Sequence, residues 1–336
     1  MSRAQLTSTV EQNTGGAVSP YVAGKNKIIN GDFGIWQRGT GSFSTIANYT
    51  ADRWNVDNST TTRQTGTNQF PYCIQLANST GNPAIRQGVE LPVVGNAGIW
   101  QIGSTFTISF YAKTSTTVSA NLAFYAAFAD GAQTGLDGNA QQIVSTTNIG
   151  ASSTSWTKYT TTFTIGSGVA PVSTNKCVEI VIYLNSGSYS GNFSVTGVQL
   201  EAGSVATPFT TATGTLSGEL AACQRYYVRI NNSSGFSYLG AVLLSRGNSQ
   251  SDGYVRLPVP MRTYPTGIDF GNIFVATYAG GSNAGISTLT LDVNCYSNIN
   301  PGINVTAVSS LGSAGQFISL QGNNSSVGYI GFSAEL

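Results

Sequence analysis

Histidine is absent from the 336 residues, so the chain lacks the side chain most used as a general base near neutral pH and as a metal ligand. Ser-His-Asp and Cys-His chemistry is thereby excluded. Glycoside hydrolysis needs only two carboxylates, and the first two thirds of the chain offer Asp32, Asp52, Asp57, Glu90, Asp130, Asp137, Glu179 and Glu201. No motif selects a pair among them. Four of the eight, Asp32, Asp57, Asp130 and Asp137, stand beside Gly or Asn, where an Asx turn or a solvated side chain is the ordinary role. The expectation is a protein that is not an enzyme.

Hard cations take loop carboxylates and carbonyls, and Asp32, following Gly31, is the candidate ligand for a structural calcium. One Asp does not make a site, so no cofactor is otherwise expected. Sugar binding asks for aromatic rings to stack on C–H groups and for polar side chains to satisfy hydroxyls. By strand parity, the face opposite the expected core carries Tyr111, Lys113, Asn121, Tyr125, Glu179 and Tyr183. If their strands are neighbours, these residues form one Tyr-lined polar patch. The same patch reads equally as a subunit interface, where Tyr is also enriched.

Cys73, Cys177, Cys223 and Cys295 lie far apart among apolar residues, with no metal or redox spacing. They read as buried thiols, with a disulfide as the alternative. Trp36, Trp54, Trp100 and Trp156 read as packing residues whose N–H finds a partner.

The elements that must position these groups are β-strands. Only 9% of residues are charged, against roughly 25% in ordinary domains, while 40% are hydrophobic and 10% aromatic, so the chain folds rather than staying disordered. A net charge of +1 gives no footprint for a phosphate backbone or an anionic membrane, and neither nucleic acid nor membrane insertion is expected. Residues 1–13 lack the apolar run of a secretory signal, and no stretch reaches the length of a membrane span, so the chain is expected to be soluble.

Alternation is clean over Thr105 to Ala112, where Phe106, Ile108, Phe110 and Ala112 share a face. It recurs at Leu122 to Phe128, Lys158 to Ile165 and Val178 to Leu184. Gly-rich spacers between these runs point to antiparallel sandwiches. Thr215 to Arg225 breaks the pattern, with a hydroxyl cap, an acidic first turn and an Ala/Leu body, and reads as a short helix. Eight further strands follow it, starting at Tyr226, Tyr238, Tyr254, Ile273, Thr288, Asn304, Gln316 and Tyr329.

The expected class is therefore all-β, with two antiparallel β-sandwich (jelly-roll-like) domains joined by a short helix and preceded by an extended arm. The expected boundaries are an arm over 1–24 that gains order by docking to a partner, a jelly roll over 25–210, a linker with the helix over 211–228, and a C-terminal β-sandwich over 229–336.

Seven motifs occur in order: Lys27-Ile28-Ile29-Asn30-Gly31-Asp32-Phe33, Trp36-Gln37-Arg38-Gly39-Thr40, Tyr49-Thr50-Ala51-Asp52-Arg53-Trp54, Phe106 to Lys113, Trp156-Thr157-Lys158-Tyr159, Val198 to Phe209, and Cys223-Gln224-Arg225-Tyr226-Tyr227. Together they resemble a family of tailed-phage (bacteriophage) tail fibre and virion structural proteins. The first domain also resembles the jelly roll of carbohydrate-binding modules, in which an opening Asn-Gly-Asp-Phe strand pairs with a closing strand carrying acidic residues that help to hold a structural calcium. Only Asp32 carries over, since Thr196 and Gly197 stand where those modules tend to have Asp.

The resemblance implies a virion location, a homotrimer, a second virion protein met by the arm, and attachment to a host-surface glycan. A head or neck decoration protein without sugar binding is the alternative, and a polysaccharide depolymerase is a further one.

Overall fold

A computed structural model describes residues 23–44, 48–57, 59–79, 81–131, 140–187, 189–277, 283–324 and 327–336. The arm expected over 1–24 lies outside these residues, apart from its last two. The described chain is nearly all β, and it divides into two compact units, 1–220 with Leu336 and 221–335.

The first unit contains Asn48–Tyr49 (β1), Asn55–Asp57 (β2), Thr60–Thr65 (β3), Tyr72–Ser79 (β4), Ala84–Glu90 (β5), Thr105–Thr114 (β6), Asn121–Ala129 (β7), Gln141–Ala151 (β8), Thr157–Thr164 (β9), Cys177–Asn185 (β10) and Tyr189–Ala202 (β11). They form a six-stranded sheet, β1-β2-β5-β10-β7-β8, and a five-stranded one, β3-β4-β11-β6-β9. Every pairing is antiparallel. The pairings β7–β8, β6–β9, β5–β10 and β4–β11 nest one inside the next, with successive levels falling in opposite sheets. That nesting is a jelly roll.

Alternation in sequence explains the core between the sheets, because successive side chains point to opposite faces. Phe106, Ile108 and Phe110 of β6 face inward with Phe124 and Phe128 of β7 and with Ile180 and Ile182 of β10, all fully buried. An aromatic seam runs from Trp100 to Phe106 (4.1 Å between ring centres), Phe163 (5.8 Å) and Phe124 (5.4 Å).

Buried polar side chains hold one end of this unit together, and most belong to the ordered sequence motifs. Asn30 is fully buried with φ near 57°, a conformation that Asn tolerates better than most residues. Its amide donates to the carbonyls of Ile35 (2.8 Å) and Asp52 (3.0 Å), and its Oδ1 accepts from the Ile35 N–H (3.0 Å). The Trp54 indole donates to the Asn30 carbonyl at 2.9 Å, and the Trp36 indole donates to that of Phe33 at 2.7 Å. Asn26 ties three segments, accepting from Ile28 and Leu200 and donating to Val198 and Thr210. Glu201 accepts from the Thr207 N–H (2.9 Å), the Thr207 hydroxyl (2.7 Å) and Gln199 (2.8 Å), with the Lys25 ammonium 3.6 Å away.

Leu216–Gln224 is the helix (α1), one residue inside each end of its expected span. Thr215 caps it, its Oγ1 accepting from the Gly218 N–H at 3.1 Å. Glu219 turns inward to accept from the Asn30 N–H at 2.5 Å.

The second unit comprises Tyr227–Asn231 (β12), Ala241–Gly247 (β13), Gln250–Val255 (β14), Gly267–Gly271 (β15), Ile273–Thr277 (β16), Asn283–Leu291 (β17), Gly302–Ala307 (β18), Phe317–Gly322 (β19) and Tyr329–Ser333 (β20). Its antiparallel strands take a closed form, a barrel in the order β13-β14-β18-β17-β16-β19, beside a three-stranded sheet β12-β20-β15. Closure leaves the barrel without a free edge. Leu243, Val255, Ile303, Val305 and Leu320 fill its interior. β15 has no counterpart among the expected strands, because Gly at both ends leaves only Ile268-Asp269-Phe270 to carry a pattern.

Candidate functional site

The six residues expected to share one patch fall on the outer faces of two different sheets. Tyr111 and Lys113 project from β6 on the five-stranded sheet, opposite Thr196 and Ser194. The Tyr111 ring lies 5.6 Å from Phe70, which meets Phe209 edge-on at 5.0 Å, and the Lys113 ammonium lies 4.9 Å over the half-buried Trp156. Trp156 thus departs from the packing role expected of it.

Asn121, Tyr125, Glu179 and Tyr183 belong instead to the six-stranded sheet. The single patch therefore divides in two. Parity assigns a residue to one side of its own strand and does not say which sheet that strand joins; β6 and β7 join different sheets, so residues of equal parity on them lie on opposite outer faces of the sandwich.

The six-stranded face is largely closed by its own polar contacts. Glu179, at 1% exposure, accepts from Arg86 Nη1 at 3.2 Å, and Asp57 accepts from Arg86 Nε at 2.6 Å. Burial works against the Arg86 charge, but Asp57 and Glu179 outweigh it and hold the guanidinium above its ordinary pKa. Tyr125 is buried beside Val181, its register partner. The Tyr183 hydroxyl reaches over Ala123 to Thr146 at 2.9 Å, and only Asn121 is well exposed.

Asp32 closes an Asx turn, accepting from the Gly34 N–H at 3.3 Å, and burial raises its pKa. The Glu219 pKa is also raised, chiefly by burial and in small part by the nearby Asp32 carboxylate. Among the described residues no three His, Cys, Asp or Glu side chains converge. All four cysteines are free thiols. Cys73, Cys177 and Cys223 are buried, and burial pushes Cys73 up to about 11. Cys295 departs from expectation by being exposed.

Open aromatic surface lies elsewhere. In the first unit the well-exposed ring among the described residues is Tyr72, whereas the second unit has Phe236, Tyr238, Tyr254, Tyr264, Tyr296 and Phe317. Four of these line a furrow on the barrel unit: Tyr238 (67% exposed), Tyr296 (66%), Tyr264 (47%) and Tyr254 (45%). The furrow consists of adjoining hollows of about 330, 550 and 660 Å³. The first two share Asp292, Cys295 and Gly302, and the last two share Gly240 and Arg256.

Strand alternation turns Tyr254 outward, since Ser251 and Val255 of β14 point into the barrel. The loop between β17 and β18 presents Tyr296, and it is built from side-chain-capped turns. Asp292 Oδ1 accepts from the Asn294 N–H at 2.9 Å, and Ser297 Oγ accepts from the Asn300 N–H at 2.9 Å. Reciprocal bonds with the Leu257-Pro258-Val259-Pro260-Met261 segment hold it: the Met261 N–H donates to the Asn298 carbonyl (2.7 Å) and Asn298 Nδ2 donates to the Met261 carbonyl (3.0 Å). Gly302 lets this loop pack against the barrel wall, because a Cβ there would lie 2.5 Å from that of Cys295. Tyr264 meets Tyr296 at 4.7 Å between ring centres.

The furrow's charges are arranged unevenly. Asp252 is ion-paired with Arg246, and the Asn294 N–H holds Asp292 below its ordinary pKa. The Cys295 thiol is raised, first by its hydrogen bond to Asp292. Strand parity and turn chemistry in the sequence contain the signal for these tyrosines, but it shows only once the barrel brings Tyr254 beside the two loop tyrosines.

The nested hairpins and the closed barrel define an all-β protein made of a jelly-roll sandwich and a small barrel unit. No family model and no curated protein sequence matches the chain. Among solved structures it is similar to a CBM4 structure (15% identity, covering 45% of this chain and 95% of the other, TM-score 0.33). It is also similar to the CBM22-1 xylan-binding domain of Paenibacillus barcinonensis Xyn10C (15%, 55% and 98%, TM-score 0.33). A third similarity is to the enzymatically active domain of bacteriophage CBA120 tailspike protein 4 (16%, 55% and 22%, TM-score 0.30). The fold assignment rests on the strand pairings and not on these distant likenesses.

Proposed function

We propose that this chain is a non-catalytic attachment protein of a tailed-phage virion, a tail fibre that binds a glycan on the host surface through its barrel unit. The observation that carries the reading is the set of exposed tyrosines along one furrow. Exposed aromatic patches of this kind mark interaction surfaces, and a ring with a polar tip can stack on a sugar while its hydroxyl bonds to the ligand.

The ordered motifs over 27–227 support the virion assignment. The structure gives those motifs an architectural role, with Asn30, Asp52, Trp54 and Glu201 holding the jelly roll together. Recognition then falls to the other unit. A glycosidase acting in the furrow would need a carboxylic acid there kept protonated by a raised pKa, whereas Asp292 is held low and Asp252 is ion-paired. In this reading the chain assembles as a trimer and its N-terminal arm docks to a second virion protein.

A glycan array probed with the full chain tests the proposal. Binding to defined glycans, abolished in Tyr254→Ala and Tyr296→Ala variants that melt like the parent, is the expected result. An empty array, with the chain confined to the phage head in particle images, favours a decoration protein instead.

A further inference from the structure

We infer that the furrow is selective for acidic saccharides, with Arg256 engaging a carboxylate of the ligand. This rests on the glycan-binding reading above and adds the chemical class of the ligand.

The inference starts from which charges in the furrow already have partners. At one end the acids are satisfied: Arg246 pairs with Asp252, and Asp292 accepts from the Asn294 N–H. At the other end the hollow of about 660 Å³ is lined by Arg229 and Arg256 without any acidic residue. Arg229 is fixed in place, its guanidinium 3.4 Å over the Tyr329 ring and its Nε bonded to Asn231 at 3.1 Å. Arg256 is exposed, and among the described residues it has no ion pair or hydrogen bond. It also lines the neighbouring hollow that holds Tyr254, so one guanidinium stands at the junction between the Tyr254 and Tyr238 sections.

That arrangement matches the chemistry of a polysaccharide bearing sugar carboxylates. A planar guanidinium presents a fork that fits a carboxylate with two parallel hydrogen bonds. The flanking tyrosines offer faces for the adjoining sugar rings. A neutral glycan leaves Arg256 without a use, and an anion lacking sugar rings leaves the tyrosines without one. The chain's net charge of +1 makes the preference local, since no overall field draws polyanions to the protein.

The test uses the full chain on an array holding uronate- and sialate-bearing glycans beside neutral ones, followed by titration of the strongest hit and of its carboxyl-reduced counterpart. The expected hits are acidic, and carboxyl reduction and Arg256→Ala each weaken binding about tenfold or more. Arg256→Lys restores only part of the loss, because an ammonium lacks the fork. Unchanged melting of the Arg256 variants separates lost recognition from lost folding. Hits that survive carboxyl reduction, or that bind Arg256→Ala as tightly as the parent while Tyr254→Ala abolishes binding, overturn the acidic preference and leave the glycan reading standing. An array without any hit removes that reading itself.

Discussion

The backbone N–H of Asn30 donates to Glu219 Oε1 at 2.5 Å across 189 positions of sequence, joining the opening motif of the jelly roll to the first turn of the helix. The Asn30 side chain meanwhile binds Ile35 and Asp52, so one buried residue fixes four segments. Asn30→Ala strands three buried polar partners and replaces a residue that tolerates positive φ with one that does so less readily. The expected loss is about 3 kcal/mol or more, read as a lower denaturation midpoint of the first unit. An unchanged midpoint removes Asn30 from its place as the hub.

Glu201 gives the first unit an acid-sensitive lock. Burial pushes its pKa up, but the Thr207 N–H and hydroxyl, the Gln199 amide and Lys25 outweigh burial and hold it below its ordinary value. A folded pKa below the unfolded one means stabilisation that is complete above the unfolded carboxylate range, near pH 4.3, and is lost as pH falls through the folded value. Glu201→Gln therefore lowers the melting temperature at pH 7, and the gap from the parent narrows as the pH falls below the ordinary carboxylate range. Melting curves across pH 3–7 check this, and a gap that stays constant or widens towards acid pH contradicts it.

Arg86→Ala leaves Asp57 and Glu179 buried without their cation. Breaking a buried pair from one side costs about 3–5 kcal/mol, and chemical denaturation measures it. Because this cluster lies in the first unit, glycan binding by the barrel unit stays at parental affinity wherever the variant is folded. Loss of binding in the folded variant would move recognition to the six-stranded face.

Gly302→Ala drives a methyl group into Cys295 and displaces the loop that carries Tyr296. The expected result is loss of glycan binding together with faster reaction of the Cys295 thiol with an alkylating reagent, since that thiol no longer hydrogen-bonds to Asp292. Parental alkylation rates and parental binding would show that the loop does not depend on Gly302.

The sequence discloses whatever depends on local alternation and hides whatever depends on which sheet a strand joins. Thr105–Thr114 and Cys177–Asn185 are legible because one face of each is uniformly apolar. Gln141–Ala151 escapes notice because the exposed Ser145, Thr146, Thr147 and Asn148 interrupt the few apolar residues, Ile143, Val144 and Ile149, that pack against the core. The helix is legible from its cap and composition, and its Glu219 proves to be a tertiary ligand as well as a first-turn acid. Tyr111 and Tyr183 look like neighbours by parity and lie on opposite sides of the sandwich. Tyr264 and Tyr296 are 32 positions apart on loops of no regular pattern, so only the folded barrel unit brings their rings together.

The nesting of hairpins also sets an order in which the jelly roll can assemble. β7 and β8 are consecutive, and pairing them brings β6 and β9 within reach; those in turn bring β5 to β10 and β4 to β11. Each closure then adds two connections of 3–14 residues to structure already formed, a smaller entropy loss than closing the whole chain at once, even though Tyr72 and Thr196 end up hydrogen-bonded across 124 positions. A topology that looks dominated by distant contacts can therefore zip outward from its innermost strand pair in a series of local steps, easing the slow search that its contact order alone implies.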